Sequence, residues 1–92
     1  MAGNVEDNPA QSRFELRTPN GIAYVAYRRE GGRVVLTHTE VPGALSGQGI
    51  GSKLVRGTLD RLRAEGAQVV PRCEFAAAFI QRHAEYQDLV AA

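Results

Sequence analysis

The hydrophobic pattern of this chain changes its period once, across the glycine-rich segment Leu45–Ser52. Before that segment, apolar and polar residues alternate in short runs, which is typical of β-strands. After it, apolar residues recur every three or four positions, which is typical of an amphipathic helix: Ile50, Leu54, Val55, Leu59 and Leu62. Because 92 residues leave room for one small core, the strands and the helix must pack together in a single α+β domain.

Three strands are predicted before the glycine-rich segment: Phe14–Thr18, Ile22–Arg28 and Arg33–Val41. The turn signals Pro19-Asn20-Gly21 and Glu30-Gly31-Gly32 separate them, so the strands form an antiparallel meander. The third strand is the richest in β-branched residues, and it must end at Pro42, which cannot donate a hydrogen bond to a sheet.

The second half of the chain adds a strand and a helix to this meander. Gly66 is a plausible C-cap of the first helix, and Ala67–Val70 is a short apolar strand. A helical crossover of this length predicts parallel pairing of that strand with the third strand. Glu74–His83 reads as the last helix, with Phe75, Phe79, Ile80 and His83 on a common side. The predicted fold is therefore a mixed sheet with an antiparallel three-strand meander, a helix, a parallel strand and a C-terminal helix.

The ends of the chain and its composition limit the classes of function. Residues 1–12 are polar and small, and they are expected to form a flexible tail before a domain of residues 13–92. A net charge of +1 argues against nucleic-acid binding. The chain has neither a long apolar run nor a secretory signal, so we expect a cytoplasmic protein without membrane contact. Cys73 is the single cysteine, which excludes a thiolate zinc cluster, and no metal site is predicted.

Three alternating glycines, Gly47, Gly49 and Gly51, stand between the third strand and the first helix. Glycine permits positive φ and close approach of a ligand, and the free N–H groups of a helix start attract anions such as phosphate. A tight structural turn would use the same residues. Two common phosphate motifs do not fit, because Lys53 follows a serine and because Ser52 replaces the last glycine of the dinucleotide fingerprint.

The stretch Val41–Leu54 reads Val-Pro-Gly-Ala-Leu-Ser-Gly-Gln-Gly-Ile-Gly-Ser-Lys-Leu. It resembles motif A of the GNAT superfamily of acyl-CoA-dependent N-acetyltransferases, which runs Arg/Gln-x-x-Gly-x-Gly/Ala after a long strand and opens a helix. The segments 69–75 and 79–86 look like the end of the minimal, single-domain branch of that superfamily. The resemblance therefore covers the chain from about residue 14 to residue 90 and implies a GNAT-like α+β fold.

The resemblance implies acetyl-CoA as cofactor and assigns residues to its parts. The pyrophosphate would lie on the glycine-rich segment, and the pantetheine arm would bond to the third strand where it splays from Ala67–Val70. The implied cofactor-binding residues are Thr39, Val41, Ser46, Gly47, Gln48, Gly49, Ile50, Gly51 and Ser52. Two departures stand out: Ser46 occupies the Arg/Gln position of the motif, and Phe79 and Ile80 stand where many members carry a tyrosine acid.

Acetyl transfer to an amine needs a group that accepts the proton of the ammonium. The resemblance matches His38 and Cys73 to positions regarded as catalytic candidates in the minimal branch. His38 shares a face of its strand with Glu40 and carries an imidazole that can accept a proton, while Cys73 lies at a helix start and carries a thiol that could accept an acetyl group. Each has a plainer interpretation: His38 as a sheet histidine, Cys73 as a packing residue. Glu40 is an alternative base.

Two functions from different classes follow from these residues. The first is an acetyl-CoA-dependent N-acetyltransferase whose acceptor is an amine, with amines of peptides or proteins among the candidates. The second is a non-catalytic module that binds coenzyme A or a protein partner on the same fold. A monomer or a weak homodimer is expected, since the edge strand of the meander could pair with a second copy.

Overall fold

The computed structural model describes residues 5–91, which form one five-stranded sheet and two α-helices. The strands are β1 (Val5–Asn8), β2 (Arg13–Thr18), β3 (Gly21–Glu30), β4 (Arg33–Glu40) and β5 (Gln68–Pro71), and they lie in sequence order. The helices are α1 (Ile50–Glu65) and α2 (Glu74–Arg82). Short 3-10 helices occupy Pro9–Gln11, Gly43–Leu45 and Ala84–Leu89. Strands β1 to β4 pair antiparallel, and β4 pairs with β5 in parallel.

The predicted α+β class, the mixed sheet and the parallel strand are confirmed. Gly66 caps α1 in the left-handed conformation, with φ 75°, and its N–H bonds to the carbonyls of Arg63 and Leu62. All five apolar residues predicted for the helix stripe are buried, from Ile50 to Leu62. They join one core cluster with the inward side chains of the strands and of α2.

The prediction of a flexible tail is wrong for residues 5–12, and residues 1–4 lie outside the described part. Val5–Asn8 is a fourth antiparallel strand, paired with β2 from Val5 opposite Leu16 to Asn8 opposite Arg13. The sequence hides it because Asp and Asn are poor strand formers. Tertiary contacts compensate, since Val5 is 1% exposed and Asp7 accepts a 2.6 Å hydrogen bond from the Tyr27 hydroxyl.

An irregularity in β4 decides which side chains face the core. Tyr27 lies opposite Leu36, and the preceding residue, Ala26, lies opposite His38, so Thr37 has no partner on β3. This is a β-bulge, and the Thr37 hydroxyl donates a 3.2 Å hydrogen bond to the Ala26 carbonyl. Because opposed residues share a face, the bulge turns His38 away from the core, where strict alternation from Leu36 would have pointed it inward.

Both helices belong to the single core cluster on one face of the sheet. We call the other face the outer face; it carries Glu15, Tyr24, Ala26, Val35 and His38. Its side chains are largely polar or partly exposed, which agrees with a face that neither α1 nor α2 covers. Neither described helix combines the length and the apolar character needed to span a bilayer.

Glu15 is the charged residue that the outer face buries most completely, with 2% of its side chain exposed. Its carboxylate accepts hydrogen bonds from Arg13 at 2.7 Å, from Asn8 at 3.0 Å and from Arg17 at 3.3 Å. The hydrogen bond from Arg13 lowers the pKa of Glu15 below its ordinary value of 4.5, and burial only partly opposes that effect. The cluster joins β1 to β2, so it stabilises the strand that the sequence hides.

We expect Glu15→Gln to lower the free energy of unfolding by about 1–3 kcal/mol near neutral pH, because the ionised partner of two arginines is lost. A lowered folded-state pKa means that Glu15 stabilises the fold above its unfolded pKa and loses that contribution as pH falls through its folded pKa. The free energies of unfolding of the wild type and the variant should therefore become similar in acid. Urea titrations at neutral and acid pH measure this, with Glu6→Gln as the exposed control. An equal difference in the free energy of unfolding between wild type and Glu15→Gln at both pH values would contradict this prediction.

Candidate functional site

Strands β4 and β5 part after Leu36, and the larger of the two cavities described here opens where they diverge. Their pairing ends with Leu36 opposite Pro71, and the Leu36 carbonyl then accepts the N–H groups of Arg72 at 3.0 Å and Cys73 at 2.9 Å. The rest of β4 keeps no β5 partner within the described chain. The cavity of about 640 Å³ along this edge is lined by Thr37, His38, Thr39, Arg72, Cys73, Glu74 and Phe75.

His38 lies on the outer-face side of this edge and is largely exposed. Its Nε2 atom is 2.9 Å from Oε1 of Glu40, so the two side chains share a face, as the strand period predicted. Its ring meets the Tyr24 ring edge-on at 6.4 Å, and the Arg13 guanidinium lies 4.4 Å from the centre of that tyrosine ring. An exposed imidazole beside a carboxylate can exchange a proton with a ligand in the cavity.

Cys73 lies on the core-facing side of the same edge, where it is 7% exposed and forms the N-cap of α2. Its Sγ atom is 3.0 Å from the hydroxyl of Thr39, the residue that follows His38. The two predicted catalytic residues therefore line one cavity from opposite faces of the sheet. Each has its own partner, so the thiol and the imidazole do not form a hydrogen-bonded pair.

The glycine-rich segment turns the chain from β4 into α1 through two left-handed residues. Gly47 has φ 78° and Gly49, the N-cap of α1, has φ 71°. No side chain among residues 5–91 caps the start of the helix, and its first turn contains no acidic residue. The N–H groups of Ile50, Gly51 and Ser52 have no acceptor inside the helix and lie at its positive end, so this turn can accept an anion.

A smaller cavity of about 310 Å³ lies against this segment, and most of the predicted cofactor-binding residues line it. Two predicted residues, Ser46 and Gln48, direct their polar side-chain groups at backbone carbonyls of the same loop. The Gln48 amide is directed at the Ala44 carbonyl, 3.5 Å away, and the Ser46 hydroxyl donates to the Gly43 carbonyl at 2.9 Å. The predicted residues on the cavity wall are Val41, Ser46, Gly47, Gly49, Ile50, Gly51 and Ser52, and Leu45 and Phe75 complete it.

Phe75 is the site residue that the sequence analysis missed, because helical spacing assigned it to the packed side of α2. Its side chain is 42% exposed, whereas Phe79 and Ile80 on the same helix are buried. The ring lies against Gly51 of α1 and lines both cavities. A glycine one residue into a helix is the only sequence signal of such an approach, and it does not identify the partner.

Two further titratable residues of the C-terminal half lie outside both cavities. The Tyr86 hydroxyl donates to Asp60 at 2.7 Å and accepts from Arg56 at 3.2 Å, and burial is the main cause of its raised pKa. His83 stacks on Phe79 with ring centres 3.9 Å apart. The Tyr86 side chain fixes the end of the chain against α1, whereas His83 contacts α2, the helix that it ends. No three metal-ligating side chains of residues 5–91 converge on a common point.

Comparison with known proteins places this geometry among similar folds. The model of the GCN5-related N-acetyl-transferase family matches residues 13–89. The chain is also similar to the solution NMR structure of a GCN5-like protein from Staphylococcus aureus, with a TM-score of 0.72 and 24% sequence identity. That match covers 100% of this chain and 92% of the other. No curated protein sequence matches the chain.

The left-handed conformation of Gly49 makes the glycine segment testable without a ligand. We expect Gly49→Ala to lower the free energy of unfolding by about 1–2 kcal/mol, because an L-residue is strained at that φ although the space around it is open. Gly43→Ala is the matched control, since that position is equally open and has no left-handed φ. Thermal unfolding of both variants measures the difference. Equal stability of the two would contradict the described loop.

Proposed function

The chain belongs to the GCN5-related N-acetyltransferase family, and we propose that it uses acetyl-CoA as donor to acetylate an amine. Family membership agrees with the resemblance carried by residues 41–54 and with the GNAT-like fold. Acetyltransferase activity is the function of the family. The donor, the acceptor and the residues that act on them are our proposals for this chain.

One observation carries the proposal. The ring of Phe75 has the anion-accepting start of α1 on one side and the opening between β4 and β5 on the other. The smaller cavity has the unpartnered N–H groups that a pyrophosphate needs, with no acidic side chain in the first turn of the helix. The larger cavity has an unpaired strand edge that can bond to an extended amide chain. Acetyl-CoA carries both features, and when bound it supplies an activated thioester.

In this proposal His38 accepts the proton that the acceptor ammonium must lose before its nitrogen can attack. It is exposed at the mouth of the larger cavity, and Glu40 at 2.9 Å orients its Nε2 atom. Nδ1 then remains to face the acceptor, directly or through a water molecule. Glu40 acts on the imidazole in this arrangement and does not itself meet the acceptor.

Cys73 is the second catalytic candidate, on the buried side of the same cavity. Its thiol meets Thr39 at 3.0 Å, so the hydroxyl holds the sulfur toward the strand edge where the pantetheine arm would end. A thiol in that position either accepts the acetyl group transiently or packs beside it. Mass spectrometry of the protein after incubation with acetyl-CoA distinguishes the two, because only transfer to sulfur adds an acetyl group to the peptide that contains Cys73.

We expect the protein to bind acetyl-CoA and Gly49→Glu to abolish binding, because that variant brings a carboxylate to the helix start and strains the N-cap. Isothermal titration calorimetry measures the affinity, and thermal unfolding with acetyl-CoA gives an independent readout. Gly32→Glu is a control with the same change of charge in an open turn. It precedes β4, whereas the glycine-rich segment follows the other end of that strand. A wild type that does not bind acetyl-CoA would refute the proposed function.

We expect His38→Gln to lower the rate of acetyl transfer by about 10²–10⁴-fold while leaving acetyl-CoA affinity unchanged, because the proton acceptor is lost and the cofactor contacts are not. Transfer of labelled acetyl groups to a lysine peptide, a free peptide N-terminus and a diamine measures the rate. His83→Gln is the control, because that histidine is stacked on Phe79 outside both cavities. Equal losses in the two variants would argue against a role of His38 in proton transfer.

A non-catalytic module that binds coenzyme A is the second candidate, and two observations favour it. The hydroxyl of Ser46, at the Arg/Gln position of the family motif, is bonded to the Gly43 carbonyl within the loop. Tyr86, the tyrosine that follows α2, is bonded to Asp60. Tight binding of acetyl-CoA without transfer to any of the amines would favour this function over catalysis.

A further inference from the structure

The ring of Phe75 is the one large apolar side chain that residues 5–91 leave exposed. It projects from the first turn of α2 and contributes to the walls of both cavities. The smaller cavity lies toward the glycine segment, and the larger one lies toward His38 and Cys73. A ligand that extends from one cavity to the other must therefore pass along this ring.

Gly51 determines where the ring can lie. A Cβ atom at position 51 would stand 2.7 Å from Cζ of Phe75 and 3.2 Å from its Cε1, which is too close for carbon atoms. Unlike Gly47 and Gly49, Gly51 has no left-handed φ, so its backbone does not require glycine. The missing side chain at position 51 thus makes room for the ring and serves no conformational purpose.

We propose that Phe75 is the apolar wall against which the pantetheine arm of coenzyme A packs. The absence of a side chain at Gly51 lets the ring lie in that position. This inference rests on the proposed function and adds a binding residue that the motif does not contain. The gain comes from covering an exposed aromatic surface with the aliphatic part of the arm. It also gives Gly51 a role in packing the protein, separate from the approach of a phosphate.

The first test compares two ligands on two variants. We expect Phe75→Ala to weaken acetyl-CoA binding roughly tenfold, because burial of part of an aromatic side chain is lost. Binding of 3′-phospho-ADP, which is coenzyme A without its pantetheine arm, should not change. Phe75→Leu should restore most of the affinity for acetyl-CoA, since it keeps an apolar wall. Calorimetry measures the affinities of the wild type and of both variants for the two ligands.

The second test uses Gly51→Ala, which should displace the ring without unfolding the protein. The colliding atom is the far end of an exposed side chain, and alanine is the better residue inside a helix. We expect Gly51→Ala to weaken acetyl-CoA binding about as much as Phe75→Ala. In the Phe75→Ala background, Gly51→Ala should cause no further loss, because the ring is already absent.

The outcomes separate this inference from the function on which it rests. If the wild type does not bind acetyl-CoA, the proposed function fails and the inference fails with it. If the wild type binds but Phe75→Ala binds equally well, the inference alone is overturned. If Gly51→Ala weakens the binding of acetyl-CoA and of 3′-phospho-ADP equally, both in the wild type and in Phe75→Ala, then the glycine serves the approach of a phosphate. Its role in placing the ring is then refuted. If Gly51→Ala weakens only acetyl-CoA binding, and only while Phe75 is present, the proposed roles of both Phe75 and Gly51 are supported.

Discussion

The extra residue in β4 is the constraint on which the candidate site depends. The bulge at Thr37 lets Leu36 and Thr39 both face the helices, although they are three positions apart in the strand. His38 is thereby turned to the outer face, where a polar ring costs little to expose. Without the bulge, an imidazole would point into the core and the Thr39 hydroxyl would lose its contact with Cys73.

The same point of the sheet ends the pairing of β4 with β5. One carbonyl, that of Leu36, receives two N–H groups from the chain leaving β5, which anchors the start of the divergence. Beyond it, α2 begins at once, and its N-cap Cys73 closes the core side of the opening. The opening is therefore a consequence of how the sheet ends, and a chain of this size needs no additional domain to create it.

The sequence predicted the parts of the fold that local patterns specify. Alternation, turn dipeptides and the helical stripe indicated β2 to β5, α1 and α2 to within a few residues, because each pattern reflects one buried face. The sequence could not indicate β1. The one inward apolar residue of this strand is Val5, and its Asp7 is held by Tyr27 of β3, with β2 between them. Nor could it indicate the bulge, since Thr37 reads like any other residue of an alternating run.

The candidate site illustrates the same division between local and long-range information. The sequence presents three alternating glycines as one feature, but the structure requires them for different reasons. Gly47 and Gly49 are left-handed, so their need for glycine is local and visible in sequence. Gly51 is helical and leaves space for a ring that lies 24 positions further along the chain. Such a requirement exists only after folding, because the fold itself brings α2 beside α1. A motif can therefore group residues that lie together in the fold and still not reveal why each of them is there.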